Sequence, residues 1–157
     1  MKVYIGKYKD DAERKIEIRI DDWDTWNADY TLALIAAPLL VKLKDSKPGA
    51  PLVDDEDVPD EIKSTSAAPK ENEWNTDANH FKRWEWVLDE MIFAMQEISS
   101  GCEGEHKFYD NSMVDENAGI EKQIKQIKVD YEKLKQYNER IANGCRLFGK
   151  YFQCLWS

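Results

Sequence analysis

The sequence is poor in the residues from which most catalytic motifs are built. Its 157 residues include two histidines, three cysteines and seven glycines. None of the glycines falls in a phosphate-cradling loop or a Gly-x-Gly-x-x-Gly turn, and there is no Gly-x-Ser-x-Gly elbow. His80 is followed on its helix by Glu85 and Asp89, which does not match the two-histidine spacing of a helical zinc site. Neither His80 nor His106 lies in a Gly-rich elbow, and no Ser–His–Asp constellation is assembled from the sequence. Cys102, Cys145 and Cys154 are odd in number and lack metal or disulfide spacing, which suits a reducing interior. No apolar run reaches the ~18 residues of a membrane span; the longest, Leu32 to Val41, has ten. The first residues read as a strand rather than as a secretory leader.

What is present is charge, and it is unevenly placed. Lys and Arg number 22, Asp and Glu 31, a net charge of −9. Six of those acids lie between Asp54 and Glu61, so removing that stretch leaves −9 + 6 = −3. From Ala118 to Ser157 eight basic residues face four acidic ones, a net +4. The total disfavours binding to duplex nucleic acid, whose phosphates would be repelled. The distribution leaves room for a small anion.

The patterning predicts one domain, 1–157, of α+β class and mostly α, with three main helices and a small N-terminal β-hairpin. Lys2 to Gly6 and Lys15 to Ile20 read as strands, joined through Lys9 to Arg14. Ile16, Ile18 and Ile20 alternate onto one face, and a lone hairpin is marginal, so that face is expected to pack on a helix. A first helix, Thr25 to Lys44, is apolar on nearly every side and is expected to be central and buried. Asp22 or Asp24 is its expected cap, and Pro38 is expected to kink it. Residues 45–75 hold four of the five prolines and the acid cluster. They read as a long, partly mobile surface loop with Leu52, Val53 and Trp74 as candidate anchors. A second helix, Asp77 to Ser99, carries a stripe of Phe81, Trp84, Leu88, Met91, Met95 and Ile98, and Gly101 is its expected stop.

Ile120, Ile127, Leu134, Ile141, Phe148 and Leu155 repeat every seven residues, with Ile124, Tyr131, Asn138, Cys145 and Phe152 as companions. This heptad seam predicts a third helix of about 54 Å if unbroken. Such a helix would overshoot one small domain. It is expected either to break at Asn143-Gly144 or to protrude and pair with another chain, with Asn138 setting the register. A homo-oligomer is the favoured outcome.

Six tryptophans are many for this length. Trp23, Trp26, Trp84 and Trp86 are candidate stacking surfaces for a nucleobase, although core packing and protein contact are the simpler explanation of tryptophan. Arg83, Arg140, Arg146 and Lys150, with Tyr151, form a candidate set for a phosphorylated ligand, against the simpler reading of a solvated helical face. The acidic stretch is read as a solvated loop in preference to a metal site. It lacks the spacing of a calcium loop, and Pro59 interrupts it.

Several stretches are similar to a known group of proteins. They are Lys2 to Gly6, Arg19 to Trp26 (RIDDWDTW), Tyr30 to Ile35, Gly49-Ala50-Pro51, Val53 to Pro59 (VDDEDVP), His80 to Met91 (HFKRWEWVLDEM), Arg140-Ile141, and Arg146 to Phe152 (RLFGKYF). Together they resemble a family of small uncharacterised proteins of marine tailed phages, cyanophage-like, over most of the chain. Longer members carry an extra segment after the first strand, where this chain runs directly through Lys9 to Arg14. Tyr30 stands where a His is often found. The resemblance implies a phage accessory protein of the host bacterial cytoplasm and brings no residue roles with it. Such a protein is expected to act by binding, without a cofactor and without catalysis. The first expectation is counter-defence, by sequestering a phosphorylated nucleotide immune signal at an oligomer interface. The alternative is a helical interaction or scaffold protein directed at a host or virion component. A metal-dependent hydrolase using Asp54, Asp55 and Asp57 is a minor third reading. Neither duplex nucleic acid nor a membrane is expected as a partner.

Overall fold

A computed structural model describes residues 1–8 and 13–156. The chain is α+β and mostly α, as the patterning predicts. Strands β1 (Lys2–Ile5) and β2 (Ile16–Arg19) pair antiparallel, Val3 opposite Ile18 and Ile5 opposite Ile16. The expected connection from Lys9 to Arg14 falls largely outside the described residues. Arg14 itself donates from Nε to the Gly6 carbonyl at 2.8 Å and lies over the Tyr8 ring. The expectation that a helix covers the isoleucine face is not met. Ile16, Ile18 and Ile20 are all more than half exposed.

A 3-10 turn, Asp22–Thr25, leads into α1, Ala28–Ser46. Neither Asp22 nor Asp24 caps α1. Asp24 instead receives the amide of Asp21 and the N-terminal ammonium, which ties β1 to this turn. The helix continues through Pro38, which is exposed. Burial departs from expectation here as well. Only Ala33, Ala37 and Leu40 are fully buried, while Leu32, Leu34 and Leu39 face outward. An all-round apolar helix has been covered on one side only.

Helix α2, His80–Ser99, packs on both α1 and α4 and gives the core more residues than any other element, Trp84, Val87, Leu88 and Met91 among them. It ends as predicted at Gly101, whose φ of +72° is the left-handed turn that glycine adopts without a side-chain penalty. Of the predicted stripe, Phe81 is exposed.

The unbroken third helix from Ile120 to Leu155 does not form, and the break is not at Asn143-Gly144. The chain forms α3 (Ile120–Gln126), then β4 (Lys128–Val129), which pairs with β3 (Tyr109–Asp110), and then α4 (Tyr131–Lys150). Asp130 caps α4 by accepting from the Lys133 amide at 3.2 Å. Gly144 stays helical because it lets α4 approach α2. A Cβ there would lie 2.3 Å from the Glu90 carbonyl oxygen and 2.5 Å from the Ala94 Cβ. The buried line runs through Tyr137, Gly144, Leu147 and Tyr151. The heptad residues Cys145, Phe148 and Phe152 are displaced toward α1 instead. Asn138 is exposed and sets no register within the chain.

Candidate functional site

The segment 45–75 is built rather than loose. Three 3-10 turns, Asp55–Asp57, Asp60–Ile62 and Ser64–Ser66, follow one another, with Val53 and Val58 buried in the core they share with the helices. Of the other expected anchors, Leu52 is 82% and Trp74 94% exposed. His80, buried at the start of α2, contacts the Ala50 carbonyl through Nε2 at 3.1 Å and pins the front of the segment.

The acid cluster is its fastening. The Asp57 side chain is 1% exposed. It accepts from Arg146 at 2.7 Å, Lys150 at 2.6 Å and the Tyr151 hydroxyl at 2.6 Å. The same hydroxyl accepts the Asp54 amide at 3.0 Å. Burial opposes the charge on Asp57, but hydrogen bonds from Lys150, Tyr151 and Arg146 outweigh it and hold the carboxyl below the usual aspartate range. Burial, with the bond to Asp57, pushes Tyr151 up to about 12. Lys150 also lies 2.8 Å from Asp54 and 3.1 Å from Glu56, contacts that raise its pKa. The oxygens of Asp54, Glu56 and Asp57 lie within 4.8 Å of one another, a grouping that suits a cation. The Lys150 ammonium touches all three, so an internal cation already satisfies this cluster.

The other two arginines of the candidate set are occupied in the same way. Arg83, 3% exposed, grips Asp77 through two bonds of 2.9 and 2.7 Å and donates to the Ile62 carbonyl. Asp55 lies 3.9 Å from its Nε. Arg140 holds Glu90 through Nε and one terminal nitrogen at 2.8–3.1 Å and lies 3.8 Å over the Phe93 ring. The structure therefore unites Arg146, Lys150 and Tyr151 around Asp57, with Trp84 edge-on to Tyr151. It does not bring Arg83, Arg140, Trp23 or Trp26 into that cluster. Trp84 is 1% exposed and belongs to the core, as does half-buried Trp86. Trp23 and Trp26 stack on each other at 5.4 Å, both 76% exposed.

Two of the hollows among the described residues bear on binding. One is a groove of about 480 Å³ between α1 and α4, almost wholly apolar and lined by Leu32, Ile35, Leu39, Met95, Phe148 and Phe152 among others. The other is a shallow hollow of about 330 Å³ where Lys107, Lys133 and Arg140 surround Phe93, Phe108 and Tyr137. Sequence reasoning missed this second grouping. The signal available was the 133-136-137-140 spacing on one helix face, but Phe93 and Lys107-Phe108 come from distant elements. It also missed Asp77, Glu90 and Asp57 as the carboxylates that would occupy the arginines.

No helix among the described residues is long and apolar enough to cross a membrane. No family model, curated protein or solved structure matches the chain.

The Arg83–Asp77 pair gives stability a measurable pH signature. Hydrogen bonding from Arg83 lowers Asp77 from 3.8 to about 2. A depressed carboxyl stabilises the fold above its unfolded pKa, and that contribution is lost as pH falls through the folded one. The pH-dependent part is about 2 kcal/mol. Urea unfolding is expected to show Asp77→Asn weaker than wild type at pH 7 by at least that amount. The gap should narrow between pH 4 and pH 2. A gap that does not change over this window contradicts the assignment.

Proposed function

We propose that the protein acts by binding a protein partner through the outward face of α1 and the adjoining groove, as a helical interaction or scaffold protein. One observation carries the reading. Leu32 and Leu39, 66% and 62% exposed, stand over an almost wholly apolar groove. Soluble monomers rarely leave contiguous apolar surface uncovered, and such patches mark interaction sites. The resemblance to marine phage proteins supports the cytoplasm of an infected bacterium as the setting, with a host or virion component among the candidate targets.

The test is photo-crosslinking in cells, with a benzophenone side chain at position 39 and a control at Leu52, which is exposed but off the face. A discrete adduct at 39 and none at 52 is expected. No adduct at 39, or equal adducts at both, contradicts the reading.

A second reading, sequestration of a phosphorylated nucleotide, is favoured by the Lys107–Lys133–Arg140 hollow. Its lining holds three cations and three aromatic rings; Arg140 is also paired with Glu90 and Lys133 with Asp130 just outside it, and Lys107 lies against the rings. Aromatic faces with cations suit a base and its phosphates. Lys107 approaches the Phe108 and Tyr137 rings at 5.2 and 5.5 Å. A panel of cyclic dinucleotides and ADP-ribose-type ligands is expected to contain one that raises the melting temperature. At a hundred times its Kd it should add ~2.7 kcal/mol, and Lys107→Glu with Lys133→Glu should abolish the effect. A panel without any shift removes this reading.

A further inference from the structure

The outward stripe of α1 has a chemical symmetry that identifies its partner. Asp29, Leu32, Ile35, Ala36, Leu39 and Lys42 follow one another along the helix, and all but Lys42 line the groove. The spacing is nearly palindromic about the point between Ile35 and Ala36. Reversing the helix about that point brings Asp29 opposite Lys42, Leu32 opposite Leu39, and Ile35 opposite Ala36. We propose that the partner of this face is a second copy of the same chain, with the two α1 helices packed antiparallel across a two-fold axis at Ile35–Ala36. The proposal rests on the reading that this face binds protein at all.

Each step has a physical reason. A two-fold interface must be self-complementary, each residue meeting its mirror position on the partner. Here the ends of the stripe carry opposite charges, so both copies of the Asp29–Lys42 contact are attractive. The stripe between them is apolar. Asp29 lies in the first turn of α1, where its charge also suits the helix dipole, and Lys42 lies near the other end. Two chains of charge −9 repel at a distance, so an uncharged stripe with balanced ends is where two copies can approach. The small Ala36 beside the axis allows the helices to come close. The side chain of Leu32 or Leu39 from one copy then reaches the groove that Phe148 and Phe152 complete on the other. Parallel packing would set Asp29 on Asp29 and Lys42 on Lys42, both repulsive.

The test is sedimentation of the full purified chain at micromolar concentration, with far-UV circular dichroism as the folding control. A dimer is expected. Leu39→Glu should weaken it at least about 100-fold at unchanged helicity, since it buries charge in the apolar stripe. Asp29→Lys and Lys42→Asp should each weaken it about tenfold, and the double variant should recover most of the loss. A purified chain that stays monomeric overturns the proposal. So does a dimer indifferent to Leu39→Glu, or a double charge variant no better than the single ones. A monomer combined with a crosslink from position 39 to a different protein removes the second-copy partner while leaving the binding reading in place. A monomer without any crosslink removes both.

Discussion

The Asp57 carboxylate is the constraint on which the rest of this structure depends. A carboxylate taken fully out of water costs several kcal/mol unless donors replace its hydration. Arg146, Lys150 and Tyr151 supply them, all from the last turns of α4 or just beyond. Satisfying Asp57 fixes the acidic segment against the C-terminal end of α4, and Arg83 holds the other side of that segment through Asp55 and Ile62. What composition presents as an acidic loop and a basic helix is one internal contact.

That contact decides what remains for function. Four of the five polar groups that suit a phosphorylated ligand already hold a carboxylate of this chain within hydrogen-bonding distance, and the fifth, Tyr151, donates to one as well. A ligand phosphate at Arg146 or Lys150 would have to displace Asp57 and reopen the segment. The surface left over includes an apolar groove beside α1 and a mixed cationic and aromatic hollow near Arg140. The proposed function follows the larger of the two.

The elements were legible where local chemistry determines them. Alternation at Ile16, Ile18 and Ile20 marks a strand, and the 3.6-residue stripe through Trp84, Leu88 and Met91 marks α2. Gly101 stops it because a left-handed turn is needed there. Elsewhere tertiary contact overrides the local pattern. The heptad from Ile120 to Leu155 gives no sign of the break at Lys128–Val129, because that strand exists only by pairing with Tyr109–Asp110. Asn143-Gly144 looks like a helix break until α2 is seen to need the missing side chain. Exposure was the least legible property. An apolar helix such as Leu32 to Val41 implies a cover but does not say whether the same chain supplies it. The candidate site was legible in its residue types and not in its pairings. Arg83 and Asp77 lie six residues apart, but Arg146 and Asp57 are separated by most of the chain.

Native-state hydrogen exchange across residues 52–64 tests the central claim most directly. If Asp57 fastens the segment, its amides exchange slowly at neutral pH. Asp57→Asn then accelerates them by about tenfold or more while the central turns of α2 stay protected. Exchange of this segment at the rate of an unstructured chain in the wild type, or equal protection in wild type and variant, would contradict the account.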